Sequence, residues 1–251
     1  GVLPAEQIQI MIDTKVISAD AAFVNGQIQP ASLDLRLGAK AFRVRASFLP
    51  GQGQTVAERL AHFGMHEVDL TQGAVLEKGC VYVVPLQESV ALDANTNAVA
   101  NAKSSTGRLD LLTRVITDEG VEFDRIPAGY SGPLYAEICP RSFSVLVRPG
   151  MRLNQIRFRQ GQSILSDADL MALHNDTPLV NGDPVIEQGL GFSVDLKPAH
   201  GTLVGYQAKP HTGVIDLDLL GHYDPADFWD ELRTDKGQII LDPGAGKRSL
   251  S

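Results

Sequence analysis

The chain has 251 residues, 43 % of them hydrophobic, with 24 Gly, 14 Pro and a formal net charge of −8. The acidic balance argues against broad nucleic-acid binding. Because the chain lacks both a run of about 18 apolar residues and a secretory signal pattern, we expect a cytoplasmic protein with no membrane span. The many turn residues among short Val, Ile and Leu runs favour a β-rich chain over a helical bundle.

The first predicted elements are a helix and a strand. Residues 4–18 predict a short amphipathic helix, because their apolar residues fall on one helical face and Pro4 precedes them. Asn25-Gly26 marks a tight turn. Residues 32–38 alternate leucine with polar residues, which predicts a strand with one buried face. Residues 47–66 are predicted to be a loop with an irregular helical piece.

From residue 73 onward, short apolar runs separated by Gly, Pro, Asn or Asp predict one strand after another. The predicted strands are Cys80–Leu86, Ser89–Leu92, Leu111–Thr117, Leu134–Cys139, Phe143–Arg148 and Met151–Arg159. In the last strand the buried parity shifts between Leu153 and Ile156, which indicates a β-bulge around Asn154-Gln155, and bulges often lie beside active sites. This spacing favours a jelly-roll or distorted β-barrel with short helices.

Three blocks near the C-terminus repeat earlier blocks in the same order, which predicts an internal duplication. Ser193–Ala208 is similar to Ser32–Ala46, Val214–Leu217 to Glu67–Leu70, and Lys236–Pro243 to Lys78–Pro85. We therefore predict a first domain over residues 1–185 and a partial, truncated second repeat over residues 186–251. The second repeat stops before any equivalent of residues 103–159.

Positive charge is concentrated between residues 103 and 159. This window holds nine Lys and Arg against six Asp and Glu, a net charge of +3, so the rest of the chain carries −11. A local cationic island in an acidic protein suits a small polyanion such as a nucleotide triphosphate. The alternative is a chance run of solvated strand charges.

Residues 101–108, Asn-Ala-Lys-Ser-Ser-Thr-Gly-Arg, are the most informative stretch. Lys103 and Arg108 would supply charge to a phosphate, while Ser104, Ser105 and backbone N–H groups near Gly107 could donate to its oxygens. The segment is not a P-loop, because GxxxxGK[ST] is absent. An ordinary polar turn is the alternative.

A second candidate stretch runs from Phe123 to Ile138. Gly129 and Gly132 bracket Tyr130-Ser131, which predicts a loop that a ligand can approach closely, and Glu137 follows within an apolar run. A buried carboxylate is costly unless it is paired or used. The alternatives are a glutamate on a solvent-exposed face or one paired with Arg141.

Together these stretches resemble the deoxycytidine triphosphate (dCTP) deaminases of the dUTPase-like superfamily. The matching stretches are Gln29–Gly38, Lys103–Leu109, Ala128–Gly132 with Glu137, and Arg148–Phe158, in family order and spacing within residues 4–160. The resemblance implies a mainly β, dUTPase-like distorted jelly-roll that deaminates dCTP to dUTP and ammonia without zinc. It also implies magnesium bound with the nucleotide, and a homotrimer whose sites are shared between subunits.

The resemblance further implies a role for each matching residue. The glutamate matching Glu137 is the general base on a water that attacks cytosine C4, and the residues matching Ser104 and Arg108 hold that water and stabilise developing charge. The residues matching Lys103 and Ser105 hold phosphates, and Arg125 matches an arginine of the deaminase branch. The expected substrate-binding residues are Lys103, Ser104, Ser105, Arg108, Arg125, Tyr130 and Gln155, and no residue is predicted as a metal ligand.

Two departures from the family pattern bear on function. Pro127 stands where the family usually has an Asp that recognises the deoxyribose 3′-hydroxyl. Lys103 stands where many members have Arg; lysine keeps the positive charge but lacks the planar guanidinium that makes two hydrogen bonds at once. The zinc-deaminase pattern, His-x-Glu followed by Pro-Cys-x-x-Cys, is absent, and Cys80 and Cys139, expected to be reduced thiols, cannot form a four-ligand zinc site alone. The alternative functions are a dUTPase, a bifunctional deaminase and dUTPase, and a non-catalytic nucleotide-binding β-barrel.

Overall fold

A computed structural model describes residues 1–161, 164–193, 196, 202–234, 237–240 and 247–249. The helices are α1 Ala5–Asp13, α2 Val56–Phe63, α3 Ser104–Arg108, α4 Asp167–Asp176 and α5 Pro225–Phe228. The first nine strands are β1 Ile17–Ala19, β2 Ile28–Gln29, β3 Ser32–Arg36, β4 Lys40–Val44, β5 Gly64–Asp69, β6 Ala74–Leu76, β7 Val81–Ala91, β8 Thr96–Ala102 and β9 Leu111–Thr117. The others are β10 Arg125–Ile126, β11 Ser131–Pro140, β12 Val145–Val147, β13 Arg152–Gln160, β14 Leu203–Ala208, β15 Ile215–Asp216, β16 Trp229–Arg233 and β17 Lys247–Ser249.

Two antiparallel sheets form the body of the protein. One has the strand order β5-β4-β7-β11-β9, with β1 also paired to β7, and the other has the order β10-β8-β13-β3-β2. Apolar residues from both sheets meet in the main core, among them Leu33 and Ile156 from one sheet and Ala136 and Ile138 from the other. The predicted mainly β architecture is confirmed.

Local signals place the helices, with two differences from prediction. Helix α1 follows Pro4 and buries Ile8 and Met11, but it ends at Asp13, because Lys15 adopts a left-handed φ of 64° and β1 begins shortly after it. Residues 47–66 contain a regular helix rather than an irregular piece. The reason is a capping box at Thr55, whose hydroxyl accepts from the Glu58 N–H while the Glu58 carboxylate accepts from the Thr55 N–H.

Two strand predictions need correction. The stretches 80–86 and 89–92 form one strand, β7, because its polar residue Glu88 is buried in an ion pair with Arg36 instead of breaking the strand. Strand β3 is buried on both faces, not one. Its leucines face the main core, whereas Asp34 and Arg36 are buried against the charged partners Lys103 and Glu88.

The predicted bulge is confirmed in β13. The pairing register between β13 and β3 shifts between Arg152 and Asn154. Leu153 is the extra residue, one position before the predicted Asn154-Gln155, because Arg152 and Asn154 pair with adjacent residues of β3; the core-facing residues after it are Ile156 and Phe158.

The C-terminal part packs onto the same body. Strand β15 pairs in parallel with β12, and the rings of Phe228 and Trp229 lie edge-on to Phe143 at 5.5 and 5.0 Å. Much of the first and third repeat blocks, Ser193–Ala208 and Lys236–Pro243, lies outside the described residues, so the duplication and the domain boundary stay predictions. Among the described residues, no helix is both long and apolar enough to cross a membrane.

Candidate active site

Glu137 lies in the middle of β11, between β7 and β9. Neighbours along a strand point to opposite faces, and Ala136 and Ile138 enter the main core. Glu137 therefore shares its face with Tyr135, which packs against a second, smaller core made by Val44, Phe48, Val56, Val83 and Ile116. The residue is 2 % exposed, so the alternative of a solvent-exposed glutamate is wrong.

The partner of Glu137 is Arg114, directly opposite it on β9. Both Nε, at 3.1 Å, and Nη2 of Arg114 donate to Oε1 of Glu137. The other oxygen, Oε2, is buried and has no hydrogen-bond partner among the described residues. The alternative pairing with Arg141 is therefore wrong, and the carboxylate keeps one oxygen free to accept a proton.

The surroundings of Arg114 were not predicted from the sequence. Its guanidinium lies 3.6 Å from the centre of the Phe123 ring, and Nη2 also donates to Ser47 Oγ at 3.0 Å. A second carboxyl, Asp124, accepts from the Val115 N–H at 2.7 Å. Burial raises the pKa of Asp124, and the charge of Glu137 adds to that rise.

In the 101–108 segment, residues 101–102 end β8 and Ser104–Arg108 form one helical turn, α3, where the alternative was an ordinary polar turn. The Lys103 N–H and the Thr106 hydroxyl both donate to the Leu153 carbonyl, at 2.9 and 3.0 Å, which ties the segment to the bulged strand. Ser104, Ser105 and Arg108 are exposed, as a phosphate-binding role requires. Lys103, in contrast, already donates to the buried carboxylate of Asp34.

Five of the seven predicted substrate-binding residues line three separate cavities, and Ser104 and Gln155 line none of these three. Lys103 and Ser105 lie in one of about 570 Å³, together with Arg148 and Arg152. Arg125 and Tyr130 lie in a larger one of about 1190 Å³. Arg108 lies in a third of about 550 Å³, whose other walls include Trp229 and Glu231 of the C-terminal part.

Within a single chain, Glu137 and the predicted site residues of α3 are not brought together. Within the described part of the chain, no hydrogen bond or ion pair links Glu137 to Ser104 or Arg108. Leu109, at the end of α3, packs against the main core, whereas Glu137 is on the opposite face of its sheet. The chain therefore presents the phosphate-binding and the base-bearing parts of the expected site at different places.

Three further expected residues have contacts within the fold. The Tyr130 hydroxyl donates to the Pro133 carbonyl at 2.6 Å and accepts from the Asp118 N–H at 3.2 Å, and burial raises its pKa. Gln155 accepts from the Ser32 hydroxyl at 3.2 Å. Arg125 is exposed and lies 3.6 Å from Glu122. Of these three, Arg125 has the side chain with most freedom to meet a ligand.

The cationic island is not one free patch, because most of its cations already have partners. Arg148 pairs with Asp216 and Asp218 at 2.7 Å each, Arg114 with Glu137, and Lys103 with Asp34. Arg125 and Arg152 also have carboxylate partners, at 3.6 Å each, whereas no ion pair among the described residues involves Arg108, Arg141, Arg157 or Arg159. Five of the nine cations in this window are thus already paired with carboxylates of the same chain.

Known proteins resemble the chain throughout its length. The family model of the 2′-deoxycytidine 5′-triphosphate deaminase N-terminal domain matches residues 1–162, and the model of the C-terminal domain matches residues 166–246. The chain belongs to the dCTP deaminase family. The resemblance inferred from the sequence is confirmed.

Relatives within the dCTP deaminase family agree with this assignment. A "dCTP deaminase, dUMP-forming" of Tropheryma whipplei is 32 % identical over 167 residues, which cover 64 % of this chain and 79 % of that protein. A dCTP deaminase of Halorubrum lacusprofundi is 27 % identical over 143 residues, covering 56 % and 67 %. The crystal structure of the Agrobacterium tumefaciens 2′-deoxycytidine 5′-triphosphate deaminase matches with a TM-score of 0.91 and 51 % identity, covering 98 % of this chain and 74 % of that one. The expected dUTPase-like fold is thereby confirmed.

Proposed function

We propose that this member of the dCTP deaminase family hydrolyses dCTP to dUTP and ammonia, with Glu137 as the general base and without zinc. The observation that carries the role of Glu137 is its half-paired carboxylate. One oxygen is held by Arg114, and the other is buried without a partner in the described part of the chain. A buried, unsatisfied acceptor costs folding free energy, and such groups are typical of sites that use them in chemistry.

In the proposed reaction, Oε2 of Glu137 takes a proton from a water as the water oxygen bonds to cytosine C4. The tetrahedral intermediate then collapses, the C4–N bond breaks, and the proton passes to the leaving nitrogen as ammonia departs. Ser104 would hold the water, and Arg108 would stabilise the charge of the intermediate. Lys103, Ser105, Arg125, Tyr130 and Gln155 would bind the nucleotide.

We infer that the complete site forms between copies of the chain, as in the homotrimer that the family resemblance implies. Glu137 and α3 lie on different faces of one chain, so two copies are needed to bring the base to the water-holding residues. In a closed symmetric oligomer each interface would receive Glu137 from one copy and α3 from the next. The C-terminal part, which walls the Arg108 cavity, would stay in contact with α3.

Magnesium would arrive with the nucleotide rather than reside in the protein. Residues 1–161 and the other described ranges contain no group of three His, Cys, Asp or Glu that could hold a metal ion. Magnesium keeps several waters and commonly binds substrate phosphates, so the triphosphate would supply most of its ligands. Ser104 and Ser105 are the hydroxyl groups that α3 offers beside it. The free thiols of Cys80 and Cys139 support a reducing, cytoplasmic location.

Ammonia release from dCTP tests the proposal. We expect Glu137→Gln to lower kcat by about 10²- to 10⁴-fold, because the amide keeps the shape but cannot accept the proton. Glu77→Gln is the matched control, since Glu77 is exposed and its carboxylate pairs with Arg43 and Cys80, away from the candidate site, and it should keep wild-type activity. Glu137→Gln with wild-type turnover would rule out Glu137 as the base, and wild-type protein with no dCTP turnover would favour the non-catalytic alternative.

A second candidate function is hydrolysis of dUTP onward to dUMP and pyrophosphate. The observation that favours it is the 32 % identity to a relative named as dUMP-forming. Product analysis separates the two functions: dUTP and ammonia alone support the first, whereas stoichiometric pyrophosphate supports the second.

A further inference from the structure

We propose that Arg114 is a positioning residue of the deamination, which holds one oxygen of Glu137 and thereby directs the other oxygen to the reacting water. The proposal rests on the proposed role of Glu137 as the general base. It adds a second residue on the neighbouring strand, Arg114, together with the two side chains that hold Arg114 in place.

The geometry of the pair carries the argument. An arginine that only neutralises a carboxylate commonly uses two nitrogens on two oxygens. Here Nε and Nη2 of Arg114 both donate to Oε1 of Glu137, so Oε2 receives no donor among the described residues. This arrangement fixes the orientation of the carboxylate through Oε1. It leaves Oε2 as the oxygen that can accept a proton, and it fixes where Oε2 points.

Arg114 is itself held on its other sides. The Phe123 ring lies 3.6 Å from the guanidinium carbon, and stacking on an aromatic face favours one orientation of the guanidinium plane. Ser47 Oγ accepts from Nη2 at 3.0 Å. Ser47 precedes α2, and Phe123 lies in the connection between β9 and β10, so both come from segments outside the two strands that pair Arg114 with Glu137.

The proposed deamination requires that the orientation of the Glu137 carboxylate be fixed in this way. Glu137 is almost completely buried, and a free carboxylate in that position could rotate about its terminal torsion, which has a broad energy minimum. Rotation would take the basic oxygen away from the water. A displacement of about 1 Å at a reacting group costs up to about 10²-fold in rate, so the effect of Arg114 is expected on kcat rather than on nucleotide affinity.

Arg114→Ala and Arg114→Lys test the proposal in the full-length chain. We expect Arg114→Ala to lower kcat about 10- to 100-fold with an unchanged KM for dCTP, because the orientation of Glu137 is lost while the nucleotide contacts remain. Arg114→Lys keeps the charge without the planar fork, and we expect an intermediate kcat. Arg43→Ala, which removes a surface arginine paired with Glu77, is the control and should keep the wild-type kcat.

Chemical rescue separates positioning from a merely structural role. The Arg114 side chain is 28 % exposed, so added guanidinium at low millimolar concentration could enter the space left by Arg114→Ala and restore part of its kcat. The same addition should leave Glu137→Gln and Arg43→Ala unchanged. Wild-type kcat in Arg114→Ala, or a loss that guanidinium does not restore, would overturn the proposal.

A second variant keeps the test valid if Arg114→Ala does not fold. Phe123→Leu keeps apolar volume but removes the stacked ring, and we expect a several-fold lower kcat with an unchanged KM. An unchanged kcat in folded Phe123→Leu would then contradict the proposal that Phe123 holds Arg114 in position to orient Glu137. If Glu137→Gln is inactive but Arg114 variants are fully active, only this inference fails; if Glu137→Gln is active, the proposed function fails first.

Discussion

Glu88 and Glu137 are both buried and both paired with an arginine, but their carboxylates are satisfied to different extents. Glu88 Oε1 accepts from Arg36 Nε at 2.7 Å and from Gln27 Nε2 at 2.8 Å, and Oε2 accepts from the Arg36 N–H at 2.8 Å. Both oxygens of the Glu88 carboxylate thus accept hydrogen bonds within the fold, whereas Glu137 keeps one oxygen without a partner in the described residues. The first pair stabilises the fold, and the second remains available for chemistry.

Glu88→Gln should therefore destabilise the protein strongly. Removing the charge leaves the buried guanidinium of Arg36 uncompensated, which costs about 3–5 kcal/mol in comparable cases. Denaturant unfolding measures the loss, with Glu77→Gln as the control. Because the Arg43–Glu77 pair is at the surface, that control should lose less than about 1 kcal/mol. Equal losses in both variants would contradict a special role for the buried pair.

At the scale of elements, the C-terminal part is joined to the main body by backbone pairing, charge and aromatic packing. Strand β15 adds to β12. The last residue of β15, Asp216, accepts two bonds from Arg148, which comes just after β12. The rings of Phe228 and Trp229 pack against Phe143. All three contacts connect the C-terminal part to residues 143–148, shortly before β13.

The docking of the C-terminal part should depend on pH at strongly acidic values. Hydrogen bonds from Arg148 and from the Asp218 N–H lower the pKa of Asp216 from 3.8 to about 2. A lowered pKa means that the folded state favours the charged carboxylate, so the stabilisation is complete above pH 3.8 and is lost as the pH falls toward 2. Trp229 is the single tryptophan of the chain, and its fluorescence reports the contact with Phe143.

Asp216→Asn isolates this effect from other carboxyl groups. The variant should weaken docking at neutral pH and show a smaller change in Trp229 emission between pH 4 and 2 than the wild-type protein. Identical emission curves for the two proteins would show that the Arg148–Asp216 pair does not control the docking.

At the scale of the whole molecule, the arrangement of the two sheets decides that one chain carries the expected site in separate parts. Glu137 faces the smaller core, and α3 packs on the side of the main core. Glu137 keeps one oxygen without a partner in the described residues and Arg108 is exposed, but the two side chains lie in different surroundings. The proposed oligomer with shared sites follows from this separation.

Mixing two inactive variants tests a shared site. Glu137→Gln and Arg108→Ala chains, dissociated and reassembled together, should recover activity, because some interfaces then combine an intact Glu137 with an intact Arg108. Random reassembly of equal amounts restores about a quarter of the sites. Each variant reassembled alone serves as the control. No recovery in the mixture, despite mixed oligomers seen by native mass spectrometry, would show that each chain completes its own site.

The sequence by itself determined the features that depend on neighbouring residues. Apolar periodicity predicted α1 and most of the strands, the change of parity predicted the bulge in β13, and the acid within an apolar run marked Glu137 as unusual. Each of these signals comes from the alternation of side chains along a strand or their spacing on a helix, which one chain segment contains completely. The family motifs then identified the fold and the expected reaction.

Only the tertiary structure decided which distant residues meet. The partner of Glu137 is Arg114, 23 residues away, and the partner of Lys103 is Asp34, 69 residues away. Both pairings depend on strand register and on how the sheets pack, which charge and periodicity alone do not specify. The same reason explains why burial on both faces of β3 was not predicted, because its second face is covered by charged partners from distant segments, Glu88 of β7 and Lys103 just before α3.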